Sequence, residues 1–279
     1  MFRPGQGDFV SQFLSGESIL AERTESSYSA STLHFYSINA MPVAIPESFD
    51  AMQTLFRMML ENSAKHIISF VNPEIFLTAE TNPFMLWYLQ QTDYNFVDGN
   101  GLLLAINKMQ GTHFSANDRY TGTDFFTYLP ADRTTRIFLY GASEENNMNA
   151  AEKIHADFPN VEICGRVNGY EQKSDDEIIS LINESNADIL IVCLGCPRQE
   201  CWILKNKDRL NAKIIFGNGG AIDFWSGSVK RAPEFMIRHR LEWLYRLGQD
   251  FSFKRIRRQM RLVPFAMRIA RGGFVVGKR

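Results

Sequence analysis

The sequence predicts an α/β fold: a Rossmann-like parallel sheet flanked by helices, followed by a basic helical C-terminal appendage. From about residue 66, short apolar runs alternate with helix-length segments, the pattern of parallel strands joined by crossover helices. Glycines and small polar residues gather just after those runs. Beyond Pro233 the chain turns basic and helical to its end. With 279 residues, 45% of them hydrophobic and 13% aromatic, the chain can fill one large core. Its 19 glycines and 10 prolines exclude fibrous and low-complexity classes, and no internal repeat of fixed period stands out.

The first thirty-one residues form a polar segment rich in serine (Ser11, Ser15, Ser18, Ser26, Ser27, Ser29 and Ser31) with no secretory pattern. His66–Val71 reads as a strand stopped by Asn72–Pro73, and Glu74–Gln91 as one helix. Arg136–Tyr140 is a strand ending at Gly141, with a helix over Glu144–Asp157. Val161–Cys164 is a short strand leading to Asn168–Gly169–Tyr170. Ser174 and Glu177 have the spacing of a capping box, which starts a helix running to about Ser185. Asp188–Leu194 is a central strand ending at Gly195, and Lys213–Phe216 another ending at Gly217–Asn218–Gly219–Gly220. No run of 18 apolar residues exists, so no transmembrane helix is expected. The expected division is a polar N-terminal segment over 1–31, a Rossmann-like domain over 32–232 and a basic appendage over 233–279.

In an open parallel sheet the loops after the strands share one edge, where ligands bind. That places one site among Asn72, Asp98–Gly99, Gly141, Gly195 and Gly217–Gly220. Asp98 lies between the apolar Phe96–Val97 and two glycines. It reads either as a partly desolvated general base or as a turn aspartate satisfying its own loop. Arg119, in Asp118–Arg119–Tyr120–Thr121–Gly122–Thr123–Asp124, reads as a phosphate clamp or as the surface partner of a neighbouring acid. Gly195–Cys196–Pro197–Arg198–Gln199–Glu200 follows a buried strand and opens a helix, with Pro197 in its first turn. Its amides suit an anion, and Gln199 suits a base or a sugar hydroxyl; a cap without ligand is the other reading. Gly217–Asp223 lets backbone lie close to a ligand, but neither a Walker loop nor a G-x-G-x-x-G fingerprint is present. No Asp-x-Asp follows an apolar run, so diphosphate chemistry here would lean on arginines. The spacing Cys193, Cys196, Cys201 resembles a zinc pattern, but Cys193 lies inside an apolar run and reads as a small buried hydrophobe. No metal and no cofactor are expected.

A formal net charge of −1 hides a split. Residues 230–279 hold three Lys and eleven Arg against Glu234, Glu242 and Asp250, leaving the remainder strongly acidic. Phe253, Ile256, Met260, Val263, Met267, Ala270 and Phe274 recur at helical steps. Lys254, Arg255, Arg257, Arg258, Arg261, Arg268 and Arg271 take the other faces, and Pro264 is expected to kink the helix. Such a helix suits an anionic membrane surface, each cation contributing about 1 kcal/mol. Packing on the acidic body is the alternative. Nucleic acid is the weakest reading, since no accompanying motif is present. An apolar stripe can also drive self-association away from lipid.

Taken in order, Val71–Asn72–Pro73–Glu74, Asp98–Gly99, Arg119–Tyr120–Thr121–Gly122, Asn168–Gly169–Tyr170, Gly195–Glu200 and Gly219–Asp223 through Arg231–Ala232–Pro233 to Leu241–Leu247 resemble the WecG/TagA/CpsF family of bacterial glycosyltransferases. The resemblance implies an inverting, metal-independent transferase that moves a sugar from a UDP-sugar donor. The sugar would be N-acetylmannosamine, its uronic acid or a related hexose. The acceptor would be a sugar on undecaprenyl diphosphate, in the synthesis of a surface polysaccharide such as capsule or exopolysaccharide. It implies a peripheral enzyme on the cytoplasmic face of the plasma membrane. Carried over by position, Asp98 is the base and Asn72, Gln199 and Asp223 line the pocket, with Gly99, Gly141, Tyr170, Gly195 and Gly219 at its rim. Arg119 faces the phosphates, and Arg246, Arg255 and Arg258 complete the site from the appendage. Phe70 stands where relatives often carry a small hydroxyl residue, which predicts an altered donor pocket. A nucleotide-sugar oxidoreductase or epimerase would need a nicotinamide fingerprint and a Tyr-x-x-x-Lys pair, neither of which is present. A non-catalytic membrane adaptor is the remaining alternative.

Overall fold

The computed structural model describes residues 32–229, 233, 236 and 260–278. The serine-rich start, the bulk of the 230–259 segment and the expected site residues Arg246, Arg255 and Arg258 lie outside the described residues. The chain enters through an antiparallel hairpin, β1 (Leu33–Ile38) and β2 (Met41–Pro46). Helix α1 (Phe49–Glu61) follows, its N-terminus capped by Ser48, whose hydroxyl accepts from the Ala51 amide at 3.1 Å. Next come β3 (His66–Val71), α2 (Pro73–Thr81), α3 (Pro83–Gln91), β4 (Tyr94–Val97) and α4 (Asn100–Gln110). Two short 3₁₀ segments, Ala116–Asp118 and Gly122–Tyr128, lead into β5 (Thr135–Gly141) and α5 (Glu144–Asp157). The second half continues with β6 (Val161–Val167), α6 (Asp175–Glu184), β7 (Ile189–Cys193), α7 (Arg198–Asn206), β8 (Ile214–Gly217) and α8 (Gly219–Trp225). The described chain closes with α9 (Leu262–Ala270) and β9 (Val276–Lys278).

Among the described residues nine strands make one sheet in the order β6-β5-β7-β8-β3-β4-β2-β1-β9. The run from β6 to β2 is parallel, and β1 is antiparallel to both of its neighbours. Strands β3 and β7 are buried along their whole length because helices cover both faces, which is why their sequences are continuous apolar runs. One face carries a core that includes Tyr88, Leu102, Tyr140 and Trp202. The other carries an aromatic cluster in which Phe70, Phe96, Phe125 and Phe216 meet. The Phe70 ring is thus packed inside the core, 4% exposed.

Two expectations of local structure are corrected. The segment predicted as one helix over Glu74–Gln91 is two, broken at Asn82–Pro83. Proline has no amide to donate, and it forces the preceding residue out of the helical region: Asn82 sits at φ −127°, ψ 103°. Its side chain then caps the second helix, repeating what Asn72 does for the first. The C-terminal end, predicted as one kinked basic helix, becomes α9 followed by an edge strand. Pro264 falls in the first turn of α9, where its missing amide would have had no partner in any case. Gly272, at φ +68°, ends the helix, and Val276–Lys278 pairs with β1. Phe265 and Phe274 are buried against Phe76, the three ring centroids lying 5.3–5.8 Å apart. Arg268 stacks over Phe274 at 4.3 Å and pairs with Glu80 at 2.7 Å. The predicted stripe is therefore divided. Of its described members Phe274 joins the body, beside Phe265 from outside the stripe, while Met260, just before α9, and Val263 and Met267 within it remain 67%, 61% and 47% exposed.

Candidate active site

The exits of β3 through β8 share one edge of the sheet, and the sequence-predicted residues that fall among the described ones gather there. The chain turns into α5 after β5 and into α7 after β7, two neighbouring strands whose connections run to opposite sides. Such a reversal opens a crevice. Gly141 lies in it at φ +127°, and a Cβ there would fall 2.4 Å from the carbonyl carbon and oxygen of Cys193. Only glycine lets these backbones approach so closely. The exit of β6 folds over the same point, with the Gly169 amide donating to the Ala142 carbonyl at 2.8 Å. Tyr170 follows on the rim, 79% exposed. Asp223, on α8, reaches across to α5, where Asn146 Nδ2 donates to its Oδ1 at 2.9 Å. Asn146 was missed by sequence reasoning, because nothing in a polar helix face announces a partner 77 residues away.

Gln199 organises two of the glycine turns. Its Oε1 accepts from the amides of Gly195 and Gly219, both at 3.1 Å, while its Nε2 donates to Glu200 Oε1 at 2.9 Å. At 4% exposure the side chain is a bridge between the β7 and β8 exits. The amides expected to be open for an anion at this helix start are thus partly taken by the glutamine. Pro197 occupies the N-cap position rather than the first helical turn.

Glu200 is the second residue that sequence reasoning passed over. Burial pushes its carboxyl from the usual 4.5 up to about 7, against the opposing hydrogen bond from Gln199. The unfolded chain releases this proton near pH 4.5, whereas the folded chain holds it to about pH 7. Folding stability therefore falls as pH rises through that window, by at most ~1.4 kcal/mol per pH unit. Glu200→Gln keeps an accepting oxygen and has no charge to bury. It is expected to melt several degrees above the parent at pH 8, at ~2–4 °C per kcal/mol for a domain of this size. The two melting curves should converge as pH falls toward 4.5; identical curves at pH 8 would contradict the assignment.

Asp98 closes the edge beyond β4. Its amide donates to the Val71 carbonyl at 2.8 Å, which aligns the β3 and β4 exits, and its Oδ2 accepts from the Gly122 amide at 3.3 Å. Gly99 follows at φ +97° and starts α4. Asn72 stands beside it, its Oδ1 taken up by the amides of Glu74 and Ile75 at 3.0 and 2.9 Å. The Arg119–Gly122 strip is pinned to this corner from two directions. Tyr120 N–H donates to the Val97 carbonyl at 3.1 Å, and Asn218 Nδ2 donates to the Gly122 carbonyl at 2.8 Å. Asn218 thereby joins the β8 exit to the Asp98 loop. Tyr128 lies under the strip with its phenol pushed up, first by burial and then by the charge of Asp124. Helix α9 also reaches this corner: a Cβ on Gly101 would meet Phe265 at 3.1 Å.

Among the described residues no three His, Cys, Asp or Glu side chains form a metal-holding group. Cys193 and Cys201 belong to different core clusters, so the predicted cysteine spacing does not converge in space. No helix among the described residues is long and apolar enough to cross a membrane. A cavity of about 510 Å³ opens between α6 and α7, but Lys205 and Arg209 in its wall are paired with Asp175 and Asp176, and Asp98, Gly141, Tyr170, Gln199 and Asp223 are not among its lining residues.

The model of the glycosyl transferase WecG/TagA/CpsF family matches residues 37–277. A protein of Bacillus spizizenii strain W23 named N-acetylglucosaminyldiphosphoundecaprenol N-acetyl-beta-D-mannosaminyltransferase is 35% identical over 213 residues, covering 75% of this chain and 81% of that one. A protein of the same name from Staphylococcus aureus strain MRSA252 is 28% identical over 200 residues, covering 72% and 78%. With the family's model spanning the sheet, its glycine turns and the closing strand, the chain belongs to the WecG/TagA/CpsF family and is a hexosyl-transferring glycosyltransferase.

Proposed function

We propose that this enzyme transfers an N-acetylmannosaminyl or closely related hexosyl group from a UDP-sugar to a sugar carried on undecaprenyl diphosphate, with inversion at the transferred carbon. The observation that carries the reading is the placement of Asp98. It stands at the carboxyl edge, between the glycine turns of β5, β7 and β8 and the Arg119 strip, held by the Gly122 amide. A sugar hydroxyl is too weak an acid to ionise near neutrality. As its oxygen forms the new bond to the anomeric carbon, Asp98 takes the proton and the bond from that carbon to the β-phosphate oxygen breaks. UDP leaves with the electron pair, and cationic side chains stabilise the growing charge without a metal ion. Tyr170 and Asp223 suit the nucleoside, one as an exposed ring and the other as a carboxylate fixed by Asn146.

The described C-terminal helix gives the lipid acceptor a place to arrive. Val263 and Met267 on α9, with Met260 just before it, are exposed apolar residues next to Arg261 and Arg271, and α9 packs by Phe265 against Gly101 in the first turn of α4, just beyond Asp98. This arrangement supports peripheral docking on an anionic membrane at its cytoplasmic face, with Arg246, Arg255 and Arg258 carried by the intervening segment. A truncation before Phe265 would remove core residues and the edge strand together, so tail dependence is better probed on those exposed residues. A screen of UDP-sugars against a short-chain polyprenyl-diphosphate N-acetylglucosamine acceptor, reading released UDP, tests the transfer. The expected result is acceptor-dependent UDP release with a UDP-N-acetylmannosamine-type donor, insensitive to chelator. Release that ignores the acceptor, or that stops with chelator, would contradict the reading.

A further inference from the structure

A cavity of about 400 Å³ opens where Ser48 leads from β2 into α1, and β2 lies across β4 from the strands that end in the glycine turns. Phe49, Asp118, Arg119, Tyr120, Asp124 and Tyr128 are in its wall. Phe49 is the unusual member. It opens α1 with 45% of its surface exposed, and its ring meets Tyr128 edge-on at 5.9 Å. An aromatic ring held at the mouth of a polar cavity has an apolar face to offer and no core to fill.

Hydrogen bonds tie the wall of the cavity to the base. Tyr120 in its wall is bonded through its amide to the Val97 carbonyl, the residue before Asp98. Two positions on, Gly122 donates to the Asp98 carboxylate. Strand order then sets the direction of approach. The crevice between β5 and β7 and the turn after β8 lie on one side of β4; β2, which leads through Ser48 into Phe49, lies on the other. A nucleotide diphosphate laid along the glycine turns approaches Asp98 from the β8 side. A hydroxyl that gives its proton to Asp98 while attacking that donor must come from the β2 side.

We infer that this cavity is the acceptor subsite, seating a sugar carried on a diphosphate. The C–H face of the sugar lies on the Phe49 ring, its hydroxyls donate to the Asp118 and Asp124 carboxylates, and Arg119 takes the sugar's own phosphate rather than that of the departing nucleotide. This inference rests on the proposed transfer reaction, and it assigns the two substrates to opposite sides of the base.

The test measures the dissociation constants of two probes on the full chain: UDP, and a short-chain polyprenyl-diphosphate N-acetylglucosamine. In Phe49→Ala the second constant is expected to rise roughly tenfold, the worth of one ring contact with its buried area, while the first stays within twofold. Phe49→Tyr, which keeps the ring, should restore tight binding. Because Phe49 is exposed, the Ala variant should fold, and an unchanged melting curve checks that. Unchanged acceptor binding in Phe49→Ala overturns the inference. So does a parallel loss of UDP affinity, which would make the cavity part of the donor site, or failure of the acceptor to bind the parent protein. A parent that binds the acceptor through Phe49 but transfers no sugar would leave the subsite standing and overturn the transfer reading.

Discussion

Replacing Asp98 with asparagine is expected to lower kcat by about 10²–10⁴-fold while leaving the affinity for UDP unchanged. The amide has the shape of the carboxylate, and its oxygen can still accept from the Gly122 amide as Oδ2 does now. The loop should therefore keep its form and the nucleotide side of the edge its contacts. What the variant lacks is a group able to take a proton from the attacking hydroxyl. Steady-state rates and equilibrium UDP binding on the same preparation separate the alternatives. A variant within tenfold of the parent rate would make Asp98 a turn residue that caps its own loop. A variant that loses both rate and UDP affinity would make its role structural.

Gly141→Ala is the second large effect, and it acts on the fold and the β5–β7 crevice together. The new methyl would have to occupy space 2.4 Å from the Cys193 carbonyl, which is backbone of a central strand and has nowhere to move. The residue would also sit at φ +127°, a conformation that costs a non-glycine residue roughly 1–3 kcal/mol even where space is open. The surroundings offer no relief. Asn147 holds the Gly141 carbonyl at 2.8 Å, and the Ala142 amide holds the Cys193 carbonyl at 3.0 Å. A loss of about 3 kcal/mol or more in unfolding free energy is expected, read by denaturant titration, together with weaker UDP binding in whatever fraction stays folded. A variant as stable as the parent would mean that the two strand exits are not packed as described.

The central part of the fold was legible because its signals are local. The apolar runs of β3, β5, β7 and β8 are buried on both faces and bounded by glycine or Asn-Pro, so composition alone marks them. Ser174 and Glu177 form the capping box that their spacing predicted, each bonded to the other's backbone amide. The entry hairpin was not legible. Its turn uses Asn39 and Ala40 at positive φ, with no glycine to announce it. Strand β4, four residues long, is too short to show a period. At the C-terminus the amphipathic pattern was real, but periodicity cannot tell which apolar residues a neighbouring body will claim. The Gly272–Gly273 pair was the punctuation that separated α9 from the strand beyond it.

The candidate site divides in the same way. The loops that would carry Asn72, Asp98, Gly141, Gly195 and Gly219 were placed on one edge by the general behaviour of parallel sheets, and the structure puts them there. What no sequence pattern exposed is how they are tied together. Gln199 joins amides 24 positions apart, Asn218 reaches back to Gly122, and Asn146 fixes Asp223. Such bridges depend on long-range topology, and a single polar side chain carries no mark of its partner. Phe49 escaped for another reason: an aromatic residue at a helix start reads as core until its exposure is known.

The most direct measurement is a crystal structure of the Asp98→Asn enzyme with UDP and a polyprenyl-diphosphate sugar bound together. Side chain 98 should lie within about 3.2 Å of one acceptor hydroxyl, with the uridine over the β5–β7 crevice and the acceptor sugar on Phe49. An acceptor hydroxyl poised at the UDP β-phosphate with residue 98 out of hydrogen-bonding reach would contradict the account.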